Sequence, residues 1–117
     1  MKRLFLSLLV VLFLIVPAQA FDVGVTFDPS PDERVEGYNL YRSTDGESYE
    51  KTDLGTDTIY YYDDFIEGQK YWFYATAYGT IDGSLDESEP TNILEYTIPE
   101  QLEGPGNIRI TITIEVN

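Results

Sequence analysis

Residues 71–78 read Tyr-Trp-Phe-Tyr-Ala-Thr-Ala-Tyr, and no other stretch restricts the fold as tightly. Aromatic side chains favour extended backbone, where successive residues point to opposite faces. A strand here puts Tyr71, Phe73, Ala75 and Ala77 on one face and Trp72, Tyr74, Thr76 and Tyr78 on the other. The small alanines suit the face that meets a second sheet. The same two-residue period returns at residues 107–116, where Ile108, Ile110, Ile112, Ile114 and Val116 alternate with Arg109, Thr111, Thr113 and Glu115. No helical periodicity competes in the chain that follows the first 20 residues, so the expected fold class is all-β.

Shorter runs of the same character fill the interval. Val23, Val25 and Phe27 alternate before the stop at Asp28-Pro29-Ser30-Pro31. Residues 35–42 form a second run ending in the turn Ser43-Thr44-Asp45-Gly46, and residues 48–54, 58–62 and 92–98 read as further strands. Residues 80–90 are expected to be an acidic loop. Residues 100–106, with Gly104-Pro105-Gly106, are expected to link a domain of residues 21–99 to a terminal strand of residues 107–117.

Residues 1–20 have the layout of a secretory leader. Lys2 and Arg3 precede an apolar run of residues 4–16 broken by Ser7 alone, and Ala18-Gln19-Ala20 forms a small-x-small cleavage site. The run falls short of the roughly 20 residues that a bilayer span needs, so removal after Ala20 is expected over retention as an anchor. That leaves 97 of the 117 residues, enough for one domain with a modest core. The chain has no cysteine, so packing must hold it without disulfides in an oxidising compartment, and lipid attachment is not expected. It has no histidine either, which removes the commonest general base and metal ligand, and a non-enzymatic role without a cofactor is expected. With the leader gone, five basic residues face 21 acidic ones, a net charge of −16. Neither nucleic acid nor an anionic membrane surface fits as a partner of such a chain.

Over residues 23–99 the chain resembles a fibronectin type III domain, an immunoglobulin-like β-sandwich. Phe27-Asp28-Pro29-Ser30-Pro31 is similar to the end of that family's strand B, with Phe27 where tryptophan is usual. Gly37-Tyr38-Asn39-Leu40-Tyr41-Arg42 resembles strand C. Phe65-Ile66-Glu67-Gly68-Gln69-Lys70-Tyr71 resembles the passage into strand F, which makes Tyr71 the counterpart of the tyrosine corner. Glu87-Ser88 stands where the F–G loop often carries that pair. The resemblance implies a module for adhesion, spacing, glycan contact or assembly, and no activity.

Two departures shape the functional expectation. The family opens with a strand A paired to strand B, whereas the chain after Ala20 begins directly in the strand B counterpart, leaving Val23, Val25 and Phe27 as an acceptor edge. After the last family strand the chain adds the strip Ile108, Ile110, Ile112, Ile114 and Val116, whose full burial would contribute about 1.5–3 kcal/mol per side chain. A missing strand and a spare one suggest donor-strand exchange, the tail entering the next copy head to tail to build an extracellular filament. Donation into another copy lets the tail run antiparallel to the acceptor strand; entering its own groove would lay it parallel, so a fold-back is expected instead to form a hairpin with the preceding strand and to leave the acceptor edge uncovered. The second functional candidate is a monomeric adhesion module that contacts glycan, or a lateral neighbour, through Tyr41, Trp72, Tyr74 and Tyr78. Asp82, Asp86, Glu87 and Glu89 match no defined calcium loop and read as solvated charge. The adjacent pair Asp63-Asp64 reads as turn chemistry and not as a catalytic dyad.

Overall fold

The computed structural model describes residues 21–100 and 108–114. The expected leader of residues 1–20, most of the expected linker and Val116 lie outside the described residues. Among those described there are eight strands and no helix: β1 (Phe21–Thr26), β2 (Val35–Ser43), β3 (Glu50–Gly55), β4 (Ile59–Tyr62), β5 (Lys70–Ile81), β6 (Ser84–Glu87), β7 (Leu94–Thr97) and β8 (Ile108–Thr113). They form a three-stranded sheet in the order β4-β1-β8 and a five-stranded sheet in which β3-β2-β5-β6 are neighbours and β7 also pairs with β5.

The core lies between the two sheets and follows the sequence alternation. Tyr71, Phe73, Ala75 and Ala77 are buried on the inner face of β5, while Trp72, Tyr74 and Tyr78 are half-buried on its outer face. Val23, Val25 and Phe27 meet them from the first sheet, with Leu40, Ile98 and Ile114 fully enclosed. The Tyr71 hydroxyl accepts the backbone N–H of Ile66, five residues upstream, at 3.0 Å, which ties the β4–β5 connection to the start of β5. Phe65 packs edge-on against Tyr71 with ring centroids 4.5 Å apart.

Residues 80–90, expected to be a loop, contain a hairpin. β5 continues to Ile81 and pairs with β6 through Thr80↔Leu85 and Ile81↔Ser84. The turn between them is Asp82-Gly83, with φ of 52° and 81°, the left-handed conformation that Asp and Gly accept most readily. Beyond the hairpin the chain leaves the ladder, and side chains replace backbone. Ser88 Oγ and Thr91 Oγ1 accept the N–H groups of Ala77 and Ala75 at 2.9 and 3.0 Å, so the middle of β5 keeps its hydrogen bonds beside a segment that includes Pro90.

The edge of β1, expected to be bare, is covered. β8 lies on it in parallel, with Phe21↔Ile108 through Thr26↔Thr113 in register, and the Ile114 N–H donates to the Thr26 carbonyl at 2.8 Å. This is entry into its own groove, and neither the hairpin expected of a fold-back nor the antiparallel entry expected of exchange between copies. Its cause lies in where β7 ends. The Gly68 N–H donates to the Ile98 carbonyl, placing Ile98 at the pole where β5 begins. Tyr62 at the end of β4 pairs with Val23 at the start of β1, so β1 begins at that same pole. A strand that joins the edge of β1 starting from this pole runs parallel to it.

Candidate strand-exchange edge and outer aromatic face

The donor and acceptor residues read from the sequence are brought together. Val23↔Ile110 and Val25↔Ile112 are register neighbours, Val23 and Val25 are fully enclosed, and Ile110 and Ile112 are half-buried against the core. Ile114 is 1% exposed and belongs to the core itself. Phe27 lies one residue beyond the paired segment and contacts Tyr38 edge-on at 5.4 Å. Ile108 pairs through its backbone with Phe21. On the opposite face of β8, Thr111 and Thr113 are exposed. Among the described residues β8 pairs with β1 alone and is the edge of its sheet. It can therefore leave without breaking any other strand pair.

The aromatic face is knitted together across strands. Tyr41 on β2 faces Tyr74 on β5 in register, and the two rings stack with centroids 4.5 Å apart and planes 14° apart. Tyr49 leans on Tyr74 from the side at 4.9 Å. Tyr78 crosses β2 to donate its hydroxyl proton to Asp53 Oδ1 on β3 at 2.7 Å. Gly37 permits this crossing, because a Cβ there would collide with the Tyr78 hydroxyl. At the other end, Trp72 packs over Gly46, and the Lys70 ammonium sits 5.8 Å from the indole centroid. All four predicted contact residues thus share one surface.

Two charged residues that the sequence does not mark as site residues organise the molecule. Glu87 Oε2 accepts hydrogen bonds from Thr76 Oγ1, Tyr41 Oη and Asn39 Nδ2. The Thr76 and Tyr41 bonds hold the Glu87 carboxyl below its ordinary range. Burial, followed by the Glu87 charge, pushes the Tyr41 phenol up to about 12. This carboxylate at the end of β6 is therefore committed to the sheet face. The second residue is Arg42, whose side chain is only 13% exposed. Its guanidinium lies 4.2 Å from the Tyr62 ring centroid and 5.1 Å from that of Phe65, and is held bidentately by Asp64 at 2.7 and 3.0 Å. That grip holds the Asp64 carboxyl below its ordinary range. The alternation contained the signal for Arg42: it shares the inward register of Tyr38 and Leu40.

No family model, curated protein or solved structure matches the chain. Its chemistry must be argued from these two surfaces. Among the described residues no group of three or more Asp or Glu side chains is arranged to hold a metal ion, and no helix is long and apolar enough to cross a membrane.

Proposed function

We propose that the chain is a secreted, non-enzymatic module of the fibronectin type III kind, and a subunit of an extracellular filament joined head to tail by donation of the C-terminal strand. The bond from Tyr71 to Ile66, five residues upstream, supports the family reading, being the tyrosine-corner geometry expected of it. The observation that carries the assembly reading is that β8 stands at a sheet edge and completes the core through Ile114 while pairing with β1 alone. A contact with these properties exists in closed form within one subunit and can be remade between subunits with no new interface. In this form of the proposal, donation keeps the parallel register of the closed subunit. Each copy then gives its β8 to β1 of the next.

Electron microscopy and light scattering of the purified protein test the reading. Concentrated protein is expected to convert from compact monomers to fibres. A variant truncated before Asn107 is expected to stay unassembled, with a lowered melting temperature. Full-length protein that remains monomeric at every concentration contradicts the proposal.

A second reading is favoured by a separate observation, the stacked Tyr41–Tyr74 pair flanked by half-exposed Trp72 and Tyr78. Stacked rings beside hydrogen-bonding carboxylates suit the flat apolar face and rimming hydroxyls of a sugar. In that case the protein is a monomeric adhesion module, and replacing Trp72 and Tyr74 with alanine abolishes binding on a glycan array. Assembly through β8 is expected to survive the same substitutions.

A further inference from the structure

At the pole away from the β7–β8 crossing, an open groove of about 370 Å³ runs between residues 27–35 on one side and 86–91 on the other. It is a built feature. In the first wall, the Ser30 N–H donates to the Tyr38 hydroxyl at 2.8 Å, the Asp32 N–H donates to Ser30 Oγ, and Arg34 grips Asp32 with its side chain. Pro29 and Pro31 stiffen this wall further. The second wall is stitched to β5 by the Ser88 and Thr91 hydroxyls and carries Pro90. Between them Ala75, Ala77 and Gly79 form a buried base, and the accessible apolar lining comes from Pro29, Pro31, Val35, Ile81 and Pro90. At Gly79 the first wall comes so close that a Cβ would strike the Arg34 carbonyl. Two rigid walls over a small-residue floor form a preorganised apolar slot.

The rim decides the occupant. Asp28, Asp86 and Glu89 are exposed along it, while the positive charge of Arg34 is matched by Asp32. Ile81 adds an apolar contact at the hairpin end. From this proline-walled apolar lining and acidic rim we infer that the groove binds an extended peptide segment of a partner protein, one apolar side chain in the slot flanked by Lys or Arg on the rim. The long-range field of so acidic a chain favours the encounter with a cationic segment.

The test uses fluorescein-labelled hexapeptides in which Leu, Ile, Val, Phe, Tyr or Pro is flanked by lysines, alongside counterparts flanked by glutamates. Binding to the purified protein is followed by anisotropy, and the bound site is mapped by amide chemical shifts. At least one lysine-flanked peptide is expected to bind saturably, to weaken as salt rises, and to shift Ala75, Ala77, Ile81 and Glu89. Changing both exposed residues, Asp28→Lys and Glu89→Lys, is expected to weaken it at least about tenfold while the amide spectrum stays folded. The inference is overturned if no lysine-flanked peptide binds or if the glutamate series binds equally well. It is overturned too if the shifts fall on Tyr41, Trp72 and Tyr74, or if the double charge reversal leaves affinity unchanged.

Discussion

The two sheets are closed by different means. The five-stranded sheet draws β2, β3, β5, β6 and β7 from residues 35–97, with β2–β3 and β5–β6 pairing as chain neighbours, and its outer face is stitched by Tyr78 on Asp53, Tyr41 on Glu87 and the Tyr41–Tyr74 stack. The three-stranded sheet gathers segments from residues 21–26, 59–62 and 108–113, and its edge depends on β8 alone. Local pairings form early and are redundant; a long-range terminal strand is added last and opens first. The region that completes the fold is thus the one best suited to exchange.

Core substitutions in the two regions are expected to separate these properties. Phe73→Ala removes a fully enclosed ring contacting Tyr62, Phe65 and Tyr71, and is expected to cost about 3–5 kcal/mol and to weaken amide protection in both sheets. Ile114→Asp places an unpaired carboxylate at the core, but β8 can undock instead, so its cost is limited to the docking of that strand, about 2–4 kcal/mol. Hydrogen exchange should then show β1 and β8 exposed and β2–β5 still protected. Thr113→Asp on the exposed face is expected to stay within about 0.5 kcal/mol. Equal loss of protection in both sheets with Ile114→Asp would break the comparison.

Smaller effects sharpen it. Arg42→Lys keeps the charge but loses the bidentate grip on Asp64 and the flat stack on Tyr62, for an expected loss of about 1–2 kcal/mol in urea unfolding. Tyr71→Phe removes one satisfied hydrogen bond and should cost about 1 kcal/mol. Tyr49→Phe should behave oppositely. The Tyr49 hydroxyl is buried without a partner among the described residues, so its removal is expected to be neutral or to stabilise by up to about 1 kcal/mol.

The pH dependence follows the same knitting. An unfolded tyrosine ionises near pH 10, while Tyr41 in the folded sheet does so at about 12. The Tyr41 contribution is therefore complete below about pH 10 and is lost as pH rises toward 12. Burial also raises the Tyr62 phenol, so ultraviolet titration should show several late-ionising phenols, with one fewer in Tyr41→Phe. On the acid side, the depressed carboxyls of Asp64 and Glu87 contribute above the ordinary carboxylate range, and that contribution falls away as pH drops through their lowered values.

Much of this was legible because a period of two reports which face a residue occupies. It assigned the faces of β5 and the inward strip Ile110, Ile112 and Ile114, while the corner position of Tyr71 is what the family resemblance implies. Periodicity does not report which strand lies alongside, so the parallel docking of β8 on β1 depended on where β7 ends, a property of the folded chain. The hairpin at residues 80–87 was masked by its acidic composition, although Asp82-Gly83 is a turn signal in its own right. Composition does not report that aromatic rings enclose the Arg42 guanidinium, nor that the exposed Glu87 carboxylate collects hydroxyl donors from two neighbouring strands.

The central claim, that β8 docks in parallel on β1 and passes between copies in the same register, can be tested by one disulfide. Thr26 and Thr113 are register partners, and the chain has no native cysteine to compete. In the double variant Thr26→Cys/Thr113→Cys, dilute protein is expected to form an intramolecular bridge. Protein concentrated and incubated before oxidation is expected to give a ladder of covalent oligomers on a non-reducing gel. A bridge that stays intramolecular after every incubation contradicts exchange, and absence of any bridge contradicts the parallel register itself.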